Sequence, residues 1–316
     1  MTEIEFVQKR RLFFTITGAL LILSVIALIT SAVMFHGQAL RISIDFSGGT
    51  LFVLHFQESV QESAIRDVFA ANDLSGAIIQ QLGSEGDNMW QVRTRFVETD
   101  AVQKLLDDLN AQAGTVDRQL SNWNTVEPTV GAEVAKQAAL AVLVASAVVM
   151  VFIWYSFRRV PSSIRYGVVT IVAMLVNVAI TLGFYALMGI LQGWEADALF
   201  LTALLTVIGF SVQDLIVVFD RIRENIPRYR NEPFETVVNR SVLETITRSL
   251  ATQLNAMFVM VAILLFGGAT IKPFIAVMLV GMLSETYTSL CVAVPLLVVW
   301  EERDPHHSRR SASAAR

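Results

Sequence analysis

The sequence predicts a mostly α membrane protein with six transmembrane helices and one α+β, ferredoxin-like domain inserted between the first and the second. Three observations carry this expectation. Hydrophobic residues make up 54% of the 316 and charged residues only 16%, an apolar excess too large for a soluble domain of this length. Six apolar runs approach the roughly 20 residues that a helix needs to cross about 30 Å of hydrocarbon. Between the first two runs, residues 38–133 switch between strand and helix spacing.

The first span is read at residues 12–35, after the N-terminal segment 1–11 with Lys9, Arg10 and Arg11. A signal peptide shares that basic flank, but its apolar core is shorter and a small-residue cleavage site follows it. An uncleaved anchor is therefore expected. In the inserted segment, residues 50–56 alternate as a strand, and Ile65, Val68 and Phe69 recur at helical spacing within 60–72. Residues 77–82 and 89–96 read as strands around a turn at 83–88. A helix over 100–113 puts Val102, Leu105, Leu106 and Leu109 on one side, Gly114 punctuates its end, and 115–126 is extended. The order β-α-β-β-α-β is the split βαβ pattern.

The remaining spans are read at 136–157, 164–190, 198–220, 248–267 and 273–300, with a polar tail at 301–316. The fifth apolar run is short and borrows residues upstream of Leu250, where Val242, Ile246 and Ser249 keep helical spacing. Pro233 and Glu235 mark a helix start in the segment 221–247. That amphipathic helix, through Val237, Val238, Val242 and Ile246, is expected to lie along the membrane before the chain turns in. Arg158, Arg159 and Arg165 follow the second span; Arg221, Arg223, Arg228, Arg230 and Arg240 follow the fourth; Arg303, Arg309 and Arg310 follow the sixth. Of the short opposite loops, residues 192–197 hold no lysine or arginine and residues 269–273 hold only Lys272. Basic loops stay inside, so both termini are expected in the cytoplasm and residues 38–133 outside. Trp154, Tyr155, Trp194 and Trp300 fall near span ends, where aromatic belts sit.

A net charge of −4 offers no basic surface for nucleic acid. Cys291 is alone and cannot form an internal disulfide. His36, His55, His306 and His307 make no zinc spacing with it, so no metal or cofactor is expected. No phosphate-binding loop is present, because no lysine follows Ser47-Gly48-Gly49-Thr50; that string reads as a tight turn entering a strand. A serine protease lacks its histidine within the spans and an aspartyl protease lacks its second intramembrane aspartate, so no enzyme is indicated.

Asp214 stands out. It lies about six residues, or roughly 9 Å, from the inner end of the fourth span, where an ionised carboxylate is costly unless paired, hydrated or protonated. Ser211 and Gln213 could complete a polar cavity around it. Arg248, entering from the same side, is its natural partner; separating the pair favours proton uptake and re-pairing favours release. The competing reading is a static ion pair that fixes helix packing. Glu285 is a second buried acid, and Lys136 and Gln137 read as interfacial. Asp220 and Arg221, with Arg223 and Glu224, read as an ion-paired cap on the fourth helix. Gly183, Gly189, Gly267, Gly268 and Gly281 allow close helix contact.

Several of these strings resemble a known family. Asp45-Phe46-Ser47-Gly48-Gly49-Thr50 resembles the motif that opens the extracytoplasmic domain of the SecD/SecF proteins. The segment from Val126-Glu127-Pro128 through Gly131-Ala132-Glu133 is similar to their lead into the second span. Gly209-Phe210-Ser211-Val212-Gln213-Asp214, with Phe219-Asp220-Arg221-Ile222-Arg223-Glu224-Asn225, resembles the fourth-helix signature of the SecF members. Thr286-Tyr287-Thr288-Ser289-Leu290 resembles the sixth-helix motif. The resemblance runs over residues 8–300. It implies an RND-type half-bundle in the bacterial inner membrane, with SecD supplying the other half and the proton-motive force helping to draw unfolded polypeptide from SecYEG. It assigns the coupling roles to Asp214 and Arg248. Glu285 stands where the family usually has glycine, and Gln213 where asparagine is common. Small-molecule export and a non-transporting assembly scaffold are the alternative readings; neither coupling ion nor substrate range follows from the residues.

Overall fold

Among the described residues, six helices are long and apolar enough to span a membrane, as the apolar runs require. The computed structural model describes residues 7–35, 37–82, 88–157, 163–268 and 271–302. Most of the turn at 83–88 lies outside those residues, as do His36, Arg158, Arg159, His306, His307, Arg303, Arg309, Arg310 and the rest of the tail. The chain divides into a helical unit, built from residues up to 41, 141–194 and 199 onward, and an α+β unit of residues 42–140 with 195–198.

In the helical unit, α1 (Arg10–Met34) buries Thr17, Ser24, Ala27 and Ser31 and exposes Ile22, Leu23, Ile26 and Ile29. That is the reverse of a soluble helix. Lipid is as apolar as leucine, so helices meet through small side chains that let backbones approach. The partner is α6 (Ser163–Gln192). A Cβ on its Gly183 would fall 2.3 Å from Ser24 Cβ and 2.4 Å from Ser24 Cα. Gly183→Ala should therefore cost about 1–3 kcal/mol by overpacking, read as earlier thermal unfolding in detergent. Gly268→Ala, where a Cβ meets nothing within 4 Å, is the control.

Helix α7 (Ala198–Arg228) runs beyond the expected end at 220, and α8 (Phe234–Phe266) is a single helix of 33 residues. The separate surface helix expected before the fifth span is thus the first part of α8. The physical reason is plain in the residues: neither glycine nor proline interrupts 234–266. The sixth span is less regular. It comprises α9 (Lys272–Thr288), a π-helical turn (Ser289–Ala293) and α10 (Val294–Glu302). Pro295 lacks an N–H and crowds the preceding turn, and a π turn is one way a helix absorbs that defect. Arg165 at the start of α6 donates to Glu301 at the end of α10 at 2.6 Å.

The α+β unit contains a four-residue helix α2 (Ile44–Ser47), then β1 (Gly49–His55), α3 (Glu62–Ala71), β2 (Ile78–Leu82), β3 (Met89–Thr94), α4 (Thr99–Gln112) and β4 (Asn122–Val126). The sheet order is β2-β3-β1-β4, and each pairing is antiparallel. This is the ferredoxin-like arrangement. The extended stretch read at 115–126 is strand only over its last five residues, with an isolated bridge from Val116 to Phe56 before it. Phe52, Leu54 and Phe56 alternate into a core shared with Ile65, Val68 and Phe69 of α3 and Val102, Leu105, Leu106 and Leu109 of α4. Helix α5 (Pro128–Phe157) follows β4.

Candidate functional site

The sequence of α7 puts its polar side chains on one buried face. Ser211 and Asp214 are three residues apart, so they share a side of the helix, and both are buried. Asn177 of α6 donates to Ser211 Oγ at 2.6 Å, and Ser211 donates to Val207 O at 3.0 Å. On α8 the buried positions Thr245, Ser249, Gln253, Met257 and Met260 form another such stripe. On α9 they include Gly281, Ser284, Glu285 and Thr288. A Cβ on Gly281 would lie 2.4 Å from Val207 Cγ2, so glycine allows α9 to approach α7 closely.

The three stripes converge on one cluster. Gln253 donates through Nε2 to Asp214 Oδ2 at 3.1 Å and to Glu285 Oε2 at 2.5 Å. Asp214 is 6% exposed, Gln253 5% and Glu285 1%. Two carboxyl groups thus share one amide nitrogen in a nearly dry site. Ionising both together sets two like charges close together where solvent screens them little. A neutral amide supplies hydrogen bonds without supplying the positive charge that would hold both acids ionised.

The expected partner of Asp214 is different. Arg248 lies on the exposed side of α8, and no hydrogen bond or ion pair joins it to Asp214. It precedes the buried position Ser249 by one residue, and one residue turns a helix by about 100°. Along the axis it is five residues, or about 7.5 Å, from Gln253. Gln213 is exposed for the same reason, one step round α7 from Asp214. Glu285, read as a second buried acid, accepts from the Gln253 amide. Sequence reasoning missed Gln253 and Asn177. Each is a strongly polar residue inside an apolar run, the same signal that marked Asp214.

The remaining candidates make contacts of their own. At the C-terminal end of α7, Asp220 pairs with Arg223 at 2.6 Å, and Arg221 pairs with Glu224 at 2.8 Å and with Glu244 of α8 at 2.6 Å. Asn225 donates to Ser241 Oγ at 3.0 Å and to Glu244 Oε2 at 2.9 Å. These contacts join α7 and α8 beyond their apolar parts. In the α+β unit, Asp45 Oδ2 accepts from the backbone N–H of Ala198 at 3.3 Å, the first residue of α7. Ser43 N–H donates to Ala196 O at 2.9 Å, and Arg93 reaches Ser47 Oγ at 2.7 Å and Glu195 at 3.5 Å. The Asp-Phe-Ser-Gly-Gly string therefore fastens the residues that lead into α7. Gly48 has φ +70° and Gly49 has φ +124°.

Comparison with known proteins agrees with this architecture. The family described as protein export membrane protein SecD/SecF, C-terminal, matches residues 106–303. The protein translocase subunit SecF of Anaerolinea thermophila is 42% identical over 294 residues, covering 93% of this chain and 92% of that one. The corresponding subunit of Thermobaculum terrenum is 38% identical over 90% of this chain and 92% of its own. Among solved structures, that of SecDF from Thermus thermophilus, a translocon-associated membrane protein, superposes with a TM-score of 0.77 at 30% identity over 95% of this chain. This chain spans 39% of that SecDF chain. On sequence, on fold and on the arrangement of its six apolar helices, the chain belongs to the SecF family of multi-pass membrane proteins.

Proposed function

We propose that this chain works with a SecD partner in the bacterial cytoplasmic membrane. There it couples the proton-motive force to export of unfolded polypeptide through SecYEG. Both termini lie in the cytoplasm, and residues 38–133 lie outside. The observation that carries the reading is a carboxyl group, Asp214, buried in the helical unit beside a second acid and a neutral amide, with no cation bonded to it among the described residues. A side chain needed only for packing would be expected to be apolar there, because a buried carboxyl is costly to maintain.

Arg248 enters as the counter-charge from its exposed position on α8, where a partner's helices can carry an acid to it. Protonation of Asp214 changes what its neighbours can bond, and that difference is what an ion gradient can act on. The names of the relatives support the translocase role, and the SecDF structure, in which a SecF-like part covers only a fraction of a longer chain, supports the partner.

The test compares polypeptide export in inner-membrane vesicles with and without this chain, before and after an uncoupler collapses the gradient. The expected outcome is that the chain's contribution disappears with the gradient. A contribution that survived the uncoupler would identify an assembly scaffold instead. Replacing the proton gradient with a sodium gradient distinguishes the coupling ion.

A further inference from the structure

The two acids at the centre of the helical unit are joined by a group that can bond in either sense. The single Nε2 of Gln253 serves Asp214 of α7 and Glu285 of α9. Its own Oε1 is buried and has no partner among the described residues, and the same is true of Glu285 Oε1. An amide nitrogen donates two hydrogens to carboxylates, and an amide oxygen accepts two from carboxylic acids. The unpartnered oxygen is thus the complement of the protonated pair, as the nitrogen is of the ionised one. Turning the amide about its last bond exchanges the two ends without moving a helix.

We propose that Gln253 is a positioning residue that links the proton occupancy of Asp214 to that of Glu285. Its NH2 end holds the two groups as carboxylate acceptors, and its Oε1 end holds them as carboxylic acid donors. Passage between the two arrangements turns the amide over. Two protons from the aqueous phase form one O–H bond on each carboxyl group and leave by the same bonds, with no oxidation or reduction. The turn ties side chains of α7, α8 and α9 to the charge of the site. This rests on the reading of Asp214 as an ion carrier and adds to it a second acid and the group that connects them.

The surrounding elements bring few other charges. Helix α6 contributes Asn177 at this level; its ionisable Arg165 and Tyr166 lie toward its start, Arg165 with Glu301, and Tyr185 lies about two turns beyond Asn177. Tyr287 of α9 donates to Phe13 O of α1 at 2.8 Å and lies 3.1 Å from Thr17 Oγ1. Cys291 lies a further turn along the sixth span. Arg248 is on the exposed side of α8.

Infrared spectra of the full chain with its SecD partner in lipid, recorded across pH, test the proposal. The carboxyl band of Asp214 is identified by its loss in Asp214→Asn, and that of Glu285 by its loss in Glu285→Gln. The side-chain amide band of Gln253 is identified by its loss in Gln253→Met. The expected result is an amide band that shifts with the same midpoint as the carboxyl bands and stops shifting in the two acid variants. Should Gln253→Met fail to accumulate, Gln253→Asn supplies the comparison; its amide is one methylene too short to bridge both acids, so its band stays still. An amide band that holds its position while the carboxyl bands titrate overturns the proposal but leaves Asp214 as a carrier. An Asp214 carboxyl band that never changes overturns both.

Discussion

Asp214→Asn is expected to abolish gradient-stimulated export while leaving the protein folded and assembled. Asparagine matches aspartate in shape and keeps an oxygen for the Gln253 N–H that now reaches Asp214 Oδ2 at 3.1 Å. The hydrogen bond weakens from charge-assisted to neutral, a change of about 1 kcal/mol. The neighbours Ser211, Val212 and Leu215 are untouched. What asparagine cannot do is bind and release a proton. Export in vesicles should fall to the level measured without the chain, whereas co-purification with SecD stays at the wild-type level. A purely structural aspartate predicts the opposite pattern, with export retained. The static ion pair with Arg248 has no support from the geometry, because Arg248 does not bond Asp214. Export at wild-type rates in the asparagine variant would end the coupling account.

Gly48→Ala is expected to unfold or open the α+β unit. Residue 48 has φ +70°, a conformation that costs an L-residue about 1–3 kcal/mol. A Cβ there would fall 2.5 Å from Pro128 Cα and 2.9 Å from Pro128 N, both rigid backbone atoms. The opposing surface is equally tight, since a Cβ on Gly131 would fall 2.6 Å from Gly48 N. Relieving the overlap adds about 1–3 kcal/mol. The sum is a large part of the 5–15 kcal/mol that typically stabilises a domain. Limited proteolysis of the full chain should therefore gain cuts within residues 42–140, with fragments identified by mass. Gly76→Ala, where a Cβ meets nothing within 4 Å, should leave the pattern unchanged. The two alanine variants together separate the specific close approach of Gly48 to Pro128 from a general intolerance of substitution.

Much of the fold is legible in local pattern. The faces Ile65, Val68, Phe69 and Val102, Leu105, Leu106, Leu109, read from spacing, are the buried faces of α3 and α4. That agreement follows because a small soluble domain must bury its apolar stripe somewhere. In the helical unit the same logic gives the existence of the spans but not their facing, because lipid and protein interior are equally apolar. Thus α1 buries Ser24 rather than Ile22 or Leu23, and hydrophobicity alone points to the wrong side. The continuous α8 was obscured by its change of composition near Leu250. Its amphipathic first part reads as a separate surface helix, yet no helix-breaking residue divides it from the apolar part.

The amino-acid sequence, by itself, determined how many helices span the membrane, where the α+β domain is inserted and that a carboxyl group lies within the fourth span. Each is a property of one stretch of chain and its solvent. The tertiary structure alone decided that Asp214 meets Gln253 and Glu285, with Arg248 turned aside. One residue along a helix changes direction by about 100°, so the partner of a buried group depends on the rotation of three packed helices together, which no single run of residues encodes.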